Sequence, residues 1–372
     1  MGGAMGGAMG GAMGGAMGRW SESLEELARQ ALREPVHRYF RQGARDGVST
    51  SEAVAAWERH RFVPRVLHDV TSVDSSASLL GTTVRSPFGV APTTLQRAAH
   101  AEGEVAMARA VADSGSLLVV SSNAGRSFDD IAGTGVDWWL QAYVPADRLT
   151  CKPLLDSAAA AGAKAIVLTA DTPVVGTKYD DGDTVCDTVC DTVWDVVDPS
   201  WLRVNFPASY GESPGDEKAT DLGPHDIGWL AETTGLPVVV KGVMRPDDAR
   251  RCVDAGALGI WVSNHGGRQL DYAAATADRL AGVVSEVGDD AEVYVDGGVR
   301  NARHALAALA LGASAVFLGR LPLYALAVDG TQGVTRLLAE LEEELVETMR
   351  LAGCADLAAV TADLLAPASE RA

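Results

Sequence analysis

The stretch Trp261-Val-Ser-Asn-His265-Gly-Gly-Arg268-Gln-Leu-Asp271 decides the reading of this chain. Gly259-Ile260-Trp261-Val262 is apolar, as a buried strand requires, and the chain then turns abruptly polar at Ser263-Asn264-His265. A histidine at a strand end can take a proton near neutral pH. Gly266 and Gly267 tolerate positive φ and clear side chains from a surface that a flat ligand could approach. Arg268 offers a planar fork suited to a carboxylate. Taken alone, the same residues also describe a strand, a turn and a solvated arginine.

That strand has counterparts. Apolar, β-rich runs occur at Phe88–Ala91, Leu117–Ser121, Trp138–Tyr143, Ala165–Thr169, Pro237–Val240, Gly259–Val262, Glu292–Val295 and Ala315–Leu318. Alanine-rich helical segments such as Glu102–Ala112, Asp247–Ala255 and Ala302–Leu311 separate most of them. Continuous apolar strands alternating with helices imply a parallel sheet covered on its outer face, and eight βα units imply a TIM barrel of the α/β class. A doubly wound sheet is the alternative, but its glycine-rich fingerprint is missing after the first strand.

Ahead of the barrel, Ser21 or Ser23 can cap a helix through Leu24–Leu32. Pro35 opens a second helix that ends at Gly43, and an amphipathic stretch follows near Ala53–His60. The connection over residues 172–236 is too long for a simple βα link and reads as an active-site lid.

Barrel enzymes react at the C-terminal ends of their strands, so the polar residue closing each run is informative. These endings are Thr93-Thr94, Ser121, Gln141 with Tyr143, Thr169 with Asp171, Lys241, Ser263 with His265, Asp296-Gly-Gly-Val-Arg300 and Gly319-Arg320. The last two follow strands seven and eight, the usual phosphate site of this barrel. There the amides around Gly297, Gly298 and Gly319 can face a phosphate that Arg300 and Arg320 neutralise.

Composition bounds the partners. With 372 residues and 47% hydrophobic content the chain can bury a large core, and a net charge of −19 argues against nucleic acid or an anionic membrane. The scattered Cys151, Cys186, Cys190, Cys252 and Cys354 form no zinc pattern and read as reduced thiols in a cytoplasmic protein. Residues 1–18 are Met-Gly-Gly-Ala repeats with no charged n-region, hence a flexible, disordered tail and no signal peptide. The remainder, residues 19–372, reads as a single domain.

The string Ser263-Asn-His-Gly-Gly-Arg-Gln-Leu-Asp271 resembles the signature of the FMN-dependent 2-hydroxy-acid oxidases and dehydrogenases, whose members act on glycolate, lactate and mandelate. The resemblance covers roughly residues 20–360. Tyr39 in Tyr-Phe-x-x-Gly-Ala, Gln141-Ala-Tyr143, Thr169-Ala-Asp171-Thr-Pro and Lys241-Gly-Val are similar to further motifs of that family. It implies oxidation of an L-2-hydroxy acid to the 2-oxo acid, with bound FMN reduced and then reoxidised by oxygen or another acceptor. It also implies a homo-oligomer, commonly a tetramer.

On that reading His265 is the base, and Asp171 fixes its tautomer. Arg268, Tyr39 and Tyr143 hold the substrate carboxylate and hydroxyl. Lys241 stabilises the reduced flavin, Ser121, Gln141, Thr169 and Ser263 line the ring, Thr93 and Thr94 approach its N5 side, and Asp296 holds a ribityl hydroxyl. Where the family has a second substrate arginine this chain has Lys178, which keeps the charge and loses the fork. It binds the carboxylate or, alternatively, faces solvent near Asp180 and Asp181. Pro92-Thr93-Thr94 replaces the family's Pro-Thr-Ala, and Asn123 stands where some members carry a bulky aromatic, implying a roomier pocket. Two other readings stay open: an FMN barrel isomerase without net redox change, and a barrel that retains FMN for binding only.

Overall fold

Each of the apolar runs forms a strand, and together they close into a parallel barrel. The structure is a computed structural model and describes residues 19–179, 192–211 and 215–367. The glycine-rich tail 1–18, the Asp-Thr-Val-Cys repeat with Cys186 and Cys190, and part of the long connection lie outside the described residues.

The barrel strands are β3 (Phe88–Val90), β4 (Leu117–Ser121), β5 (Asp137–Ala142), β6 (Ile166–Thr169), β7 (Val238–Val243), β8 (Gly259–Val262), β9 (Glu292–Val295) and β10 (Ala315–Leu318). Each pairs in parallel with the next, and β10 pairs back to β3. This closure rules out the doubly wound sheet. Inward-facing side chains fill the barrel with Val119, Trp139, Val167, Val239, Trp261, Tyr294 and Phe317. Trp261 and Phe317 stack with ring centroids 4.0 Å apart. Burying one such ring stabilises the fold by roughly 1.5–3 kcal/mol.

The N-terminal end is closed by a hairpin of β1 (Ala77–Leu79) and β2 (Thr82–Val84), whose Leu79 and Val84 join the inner core. Leu80 N donates to Glu292 Oε1 (2.9 Å), which latches the hairpin to β9.

Three helices precede it: α1 (Trp20–Ala31), α2 (Glu34–Arg41) and α3 (Val48–Glu58). Neither Ser21 nor Ser23 caps α1. The helix starts at Trp20, and Ser21 Oγ instead donates to Glu340 Oε1 (2.7 Å) on the C-terminal helix. Gly43 lies beyond the end of α2 at Arg41. The long connection carries its own helix, Pro224–Thr234, so the irregular part of 172–236 is shorter than its length suggests. The C-terminal helix Arg320–Ala352 breaks at Asp329 and Gly330. Cys151, Cys252 and Cys354 are free thiols, and no described helix is long and apolar enough to cross a membrane.

Candidate active site

The chain leaves β8 in an unusual conformation. His265, Gly266 and Gly267 have φ of +59°, +64° and +77° in succession. A left-handed non-glycine residue is uncommon and costs about 1–3 kcal/mol, so the surroundings must hold it. They do: Ser263 Oγ accepts from His265 N (3.0 Å), and Asn264 Oδ1 accepts from Gly267 N (3.1 Å). Only the first of the two glycines faces the cavity. A Cβ on Gly267 would lie 2.4 Å from Thr50 Oγ1, so this glycine admits α3 and not a ligand. Asp271, at the end of the same motif, accepts from Ser49 N (2.9 Å) and anchors the start of α3.

His265 Nδ1 is 3.1 Å from Asp171 Oδ1. Burial pushes the imidazole below the ordinary histidine range, against the opposing pull of Asp171. Burial also works against the Asp171 carboxylate, but the His265 hydrogen bond and the His265 and Lys241 charges outweigh it and hold the acid below its usual value. With the carboxylate ionised, Nδ1 is the donor, which leaves Nε2 unprotonated at neutral pH.

These groups stand at a cavity of about 600 Å³ at the C-terminal mouth of the barrel. Small-molecule sites typically measure roughly 300–1,000 Å³. Tyr39, Thr93, Thr94, Ser121, Gln141, Tyr143, Thr169, Lys178, Lys241, His265 and Arg268 line it, as do Asp296, Gly297, Gly298, Arg300, Gly319 and Arg320. Two of the expected residues do not. Asp171 stands behind His265, and Ser263 is fully buried, its hydroxyl accepting from Lys241 Nζ (2.8 Å). Ser263 therefore positions Lys241 and His265 and does not line a ring site.

A polar strip crosses one wall. Ser121 Oγ donates to Gln141 Oε1 (3.1 Å), and Gln141 Nε2 donates to Thr169 Oγ1 (2.9 Å). Lys241, only 4% exposed, pairs with Asp296 Oδ2 at 3.2 Å. The other Asp296 oxygen, Oδ1, is buried without a hydrogen-bond partner.

At the far end Arg300 and Arg320 are half-buried with no carboxylate partner among the described residues. Arg300 donates to its neighbour's carbonyl, Val299 O, and Arg320 to Phe40 O (3.1 Å) and Gly266 O (3.0 Å). Burial, together with the Arg268 and Arg300 charges, pushes Arg320 down to about 10. Gly297 and Gly298 turn the backbone with φ of +88° and +80°. A Cβ on Gly298 would lie 2.2 Å from Ala53 O, and Trp57 Nε1 donates to Gly297 O (2.7 Å), so α3 braces this loop. Two guanidinium groups without acids beside a glycine turn suit an anion.

Arg268 donates through Nη1 to Tyr39 O (2.8 Å) and Gln42 O (2.7 Å) and lies 5.0 Å from the Tyr39 ring centroid. Tyr143 is half-buried on the cavity wall, and desolvation with the Asp171 charge pushes its hydroxyl upward, so it stays a donor. Lys178 is half-buried on the cavity wall, and Asp180 and Asp181 lie outside the described residues. The Lys178 Nζ donates to Gly176 O (2.8 Å) beside Arg268, and burial with the Arg268 and Lys218 charges lowers it to about 8. Asn123 donates to Leu202 O (3.0 Å), and Trp194 and Leu202 bound the space beside it. Lys218 is a cavity residue with no signal in the sequence, because only the return of the long connection brings it to Tyr143.

Comparison with known proteins agrees with this geometry. Residues 28–367 match the family described as FMN-dependent dehydrogenase. The chain is 38% identical to 2-hydroxyacid oxidase 1 of Homo sapiens over 349 residues, covering 92% of this chain and 94% of that one. It is 38% identical to an L-lactate oxidase of Nostoc sp. over 351 residues, covering 90% and 94%. Among solved structures, mandelate oxidase with benzoyl-formic acid superposes with a TM-score of 0.82 at 36% identity, covering 93% of this chain and 97% of that one. The family match spans the whole barrel and the relatives cover nine tenths of the chain or more, and from this it follows that the chain belongs to the family of FMN-dependent dehydrogenases.

Proposed function

We propose that this chain oxidises an L-2-hydroxy acid to the 2-oxo acid, with His265 as base and oxygen or another acceptor taking the electrons from FMN. One observation carries the reading: His265, tied to Asp171 at 3.1 Å, opens onto the same cavity as the Arg300–Arg320 anion cradle and Arg268. An isomerase reading leaves that pair and Arg268 without a task.

The residues fit the cofactor. Arg300 and Arg320, half-buried with no acid partner among the described residues, suit its phosphate, and the unpartnered Asp296 Oδ1 suits a ribityl hydroxyl. Lys241 and the Ser121–Gln141–Thr169 strip suit the polar edge of the ring, with Thr93 and Thr94 across from it. When bound, FMN supplies a two-electron acceptor. Arg268 and Tyr39 orient the substrate carboxylate, and Tyr143 donates to the substrate. His265 Nε2 receives the proton, and the ionised Asp171 stabilises the imidazolium that results. Asp171 acts through His265 and is a positioning residue. The irregular segment around Trp194 and Leu202 serves as a lid that excludes water. Tetramer formation belongs to the same reading, supported by the exposed Val174, Val175, Leu270 and Tyr272. The free thiols support a reducing, cytoplasmic setting.

Product analysis tests the reaction. FMN-loaded protein with an L-2-hydroxy acid and oxygen yields the matching 2-oxo acid; recovery of an isomerised hydroxy acid with no oxygen consumed contradicts it.

The depressed pKa of His265 sets the pH profile. Its neutral form is the base, so flavin reduction rises with pH through a group below the ordinary value of ~6.5 and is level above neutrality. Stopped-flow reduction across that range checks this, and a rate that falls on going from acid to neutral pH contradicts it.

Lys178 adds attraction for the carboxylate as a flexible point charge. Lys178→Met raises KM by about 3- to 10-fold and lowers kcat less, the signature of lost uniform binding. Unchanged steady-state constants leave Arg268 and Tyr39 as the whole carboxylate site.

A further inference from the structure

The cavity holds more positive charge than the substrate and cofactor described above require. Lys241 is neutralised by Asp296, and His265 faces Asp171. Arg300 and Arg320 answer a phosphate, and Arg268 answers one carboxylate. Lys178 adds attraction for that same carboxylate, and Lys218 remains; both are half-buried on the cavity wall and neither has a carboxylate partner among the described residues. Burial of an uncompensated ammonium is costly, and it persists where something else compensates it.

Lys218 is held in place. Ala146 N donates to Glu217 O (2.8 Å) and Ala219 N donates to Val144 O (2.9 Å), which pins residues 217–219 to the segment following β5. Its Nζ lies 3.7 Å from the Tyr143 ring centroid. The acids beside it in sequence turn elsewhere: Asp216 Oδ2 accepts from Gly211 N (2.8 Å) and Glu217 Oε2 from Gly215 N (2.8 Å). Lys178, whose Nζ also approaches Arg268 O (3.4 Å), lies near both Arg268 and Lys218. In a chain of net charge −19 with 50 acidic residues, neither lysine forms an ion pair among the described residues, and Asp171 is the acid whose charge reaches Lys218. A low-dielectric cleft lined by one sign of charge focuses its field on ligands of the other.

We infer that Lys218, with Lys178, forms a subsite for a second carboxylate, so that the preferred substrates are short-chain 2-hydroxy dicarboxylates. The first carboxylate and the 2-hydroxyl remain with Arg268, Tyr39, Tyr143 and His265, and the distal carboxylate reaches past the Tyr143 ring to Lys218. Burial lowers Lys218 to about 8, offset in part by Asp171, so it is charged at neutral pH.

The inference rests on the hydroxy-acid reading, and the test separates the two. FMN-loaded protein is given L-malate against L-2-hydroxybutyrate, and L-2-hydroxyglutarate against L-2-hydroxyvalerate, each pair equal in carbon number. The better diacid is expected to exceed its monoacid partner by about 10-fold or more in kcat/KM, the scale of one added ion pair. Lys218→Met should reduce that ratio by about 10-fold and Lys218→Arg should restore most of it. Binding of 2-oxoglutarate against 2-oxovalerate to the oxidised holoenzyme, followed by perturbation of the flavin spectrum, should show the same preference. A diacid-to-monoacid ratio at or below one, or a ratio that Lys218→Met leaves unchanged, overturns the subsite and leaves the parent reading standing. Flavin reduction by neither class overturns the parent reading, while the binding comparison still reads the subsite. If Lys218→Met fails to hold FMN, Lys218→Gln and the wild-type ratio decide.

Discussion

His265→Ala reduces the rate of flavin reduction by at least about 10³-fold while FMN stays bound. A positioned general base is worth roughly 10²–10⁴ in rate, and here the loss also strands its partner. Asp171 remains buried behind an empty place, with its hydrogen bond to Nδ1 gone. The cofactor contacts expected of this site are elsewhere, on Lys241, the β9 loop and the Arg300–Arg320 cradle, so the flavin spectrum of the variant should match that of the parent. Anaerobic stopped-flow with saturating substrate measures the effect. Reduction within about 10-fold of the parent removes His265 from the mechanism.

Arg320→Met has the second largest effect, on cofactor retention. Arg320 is half-buried between backbone carbonyls with the Arg268 and Arg300 charges nearby, a setting that disfavours its own charge. A phosphate reverses that balance by satisfying both guanidinium groups. Removing one member of a buried charge pair typically costs 2–5 kcal/mol, so FMN affinity should fall by about 10²-fold or more. The cofactor-free variant should unfold at the same temperature as the cofactor-free parent or higher, because a buried like charge has gone. Fluorescence titration with FMN and thermal melts check both halves. An unchanged Kd places the phosphate elsewhere.

The barrel was legible because its strands are buried on both faces and therefore read as uninterrupted apolar runs, from Phe88 to Leu318. Its cavity was legible for the same reason, since each run ends in an abrupt polar residue. What escaped the sequence depends on contacts between distant segments. The β1–β2 hairpin has strands of three residues, too short to show alternation, and only its place under the barrel gives Leu79 and Val84 a reason to be apolar. Gly43 read as a helix cap and Gly267 as clearance for a ligand, yet a Cβ on either would come within 2.4 Å of Thr50 Oγ1. Ser263 read as a ring contact because strand ends face the cavity, but its hydroxyl is taken by Lys241 and the His265 amide. Lys218 sits in an acidic stretch where a lysine suggests solvent, and chain reversal over the long connection puts it against Tyr143.

Anaerobic titration of the FMN-loaded protein with L- and D-2-hydroxy acids tests the account most directly. It predicts that the L-acid bleaches the yellow oxidised flavin, that the 2-oxo acid appears in equal amount, and that the D-acid does not react. A flavin that stays oxidised with every L-2-hydroxy acid offered, in protein that holds FMN, contradicts it.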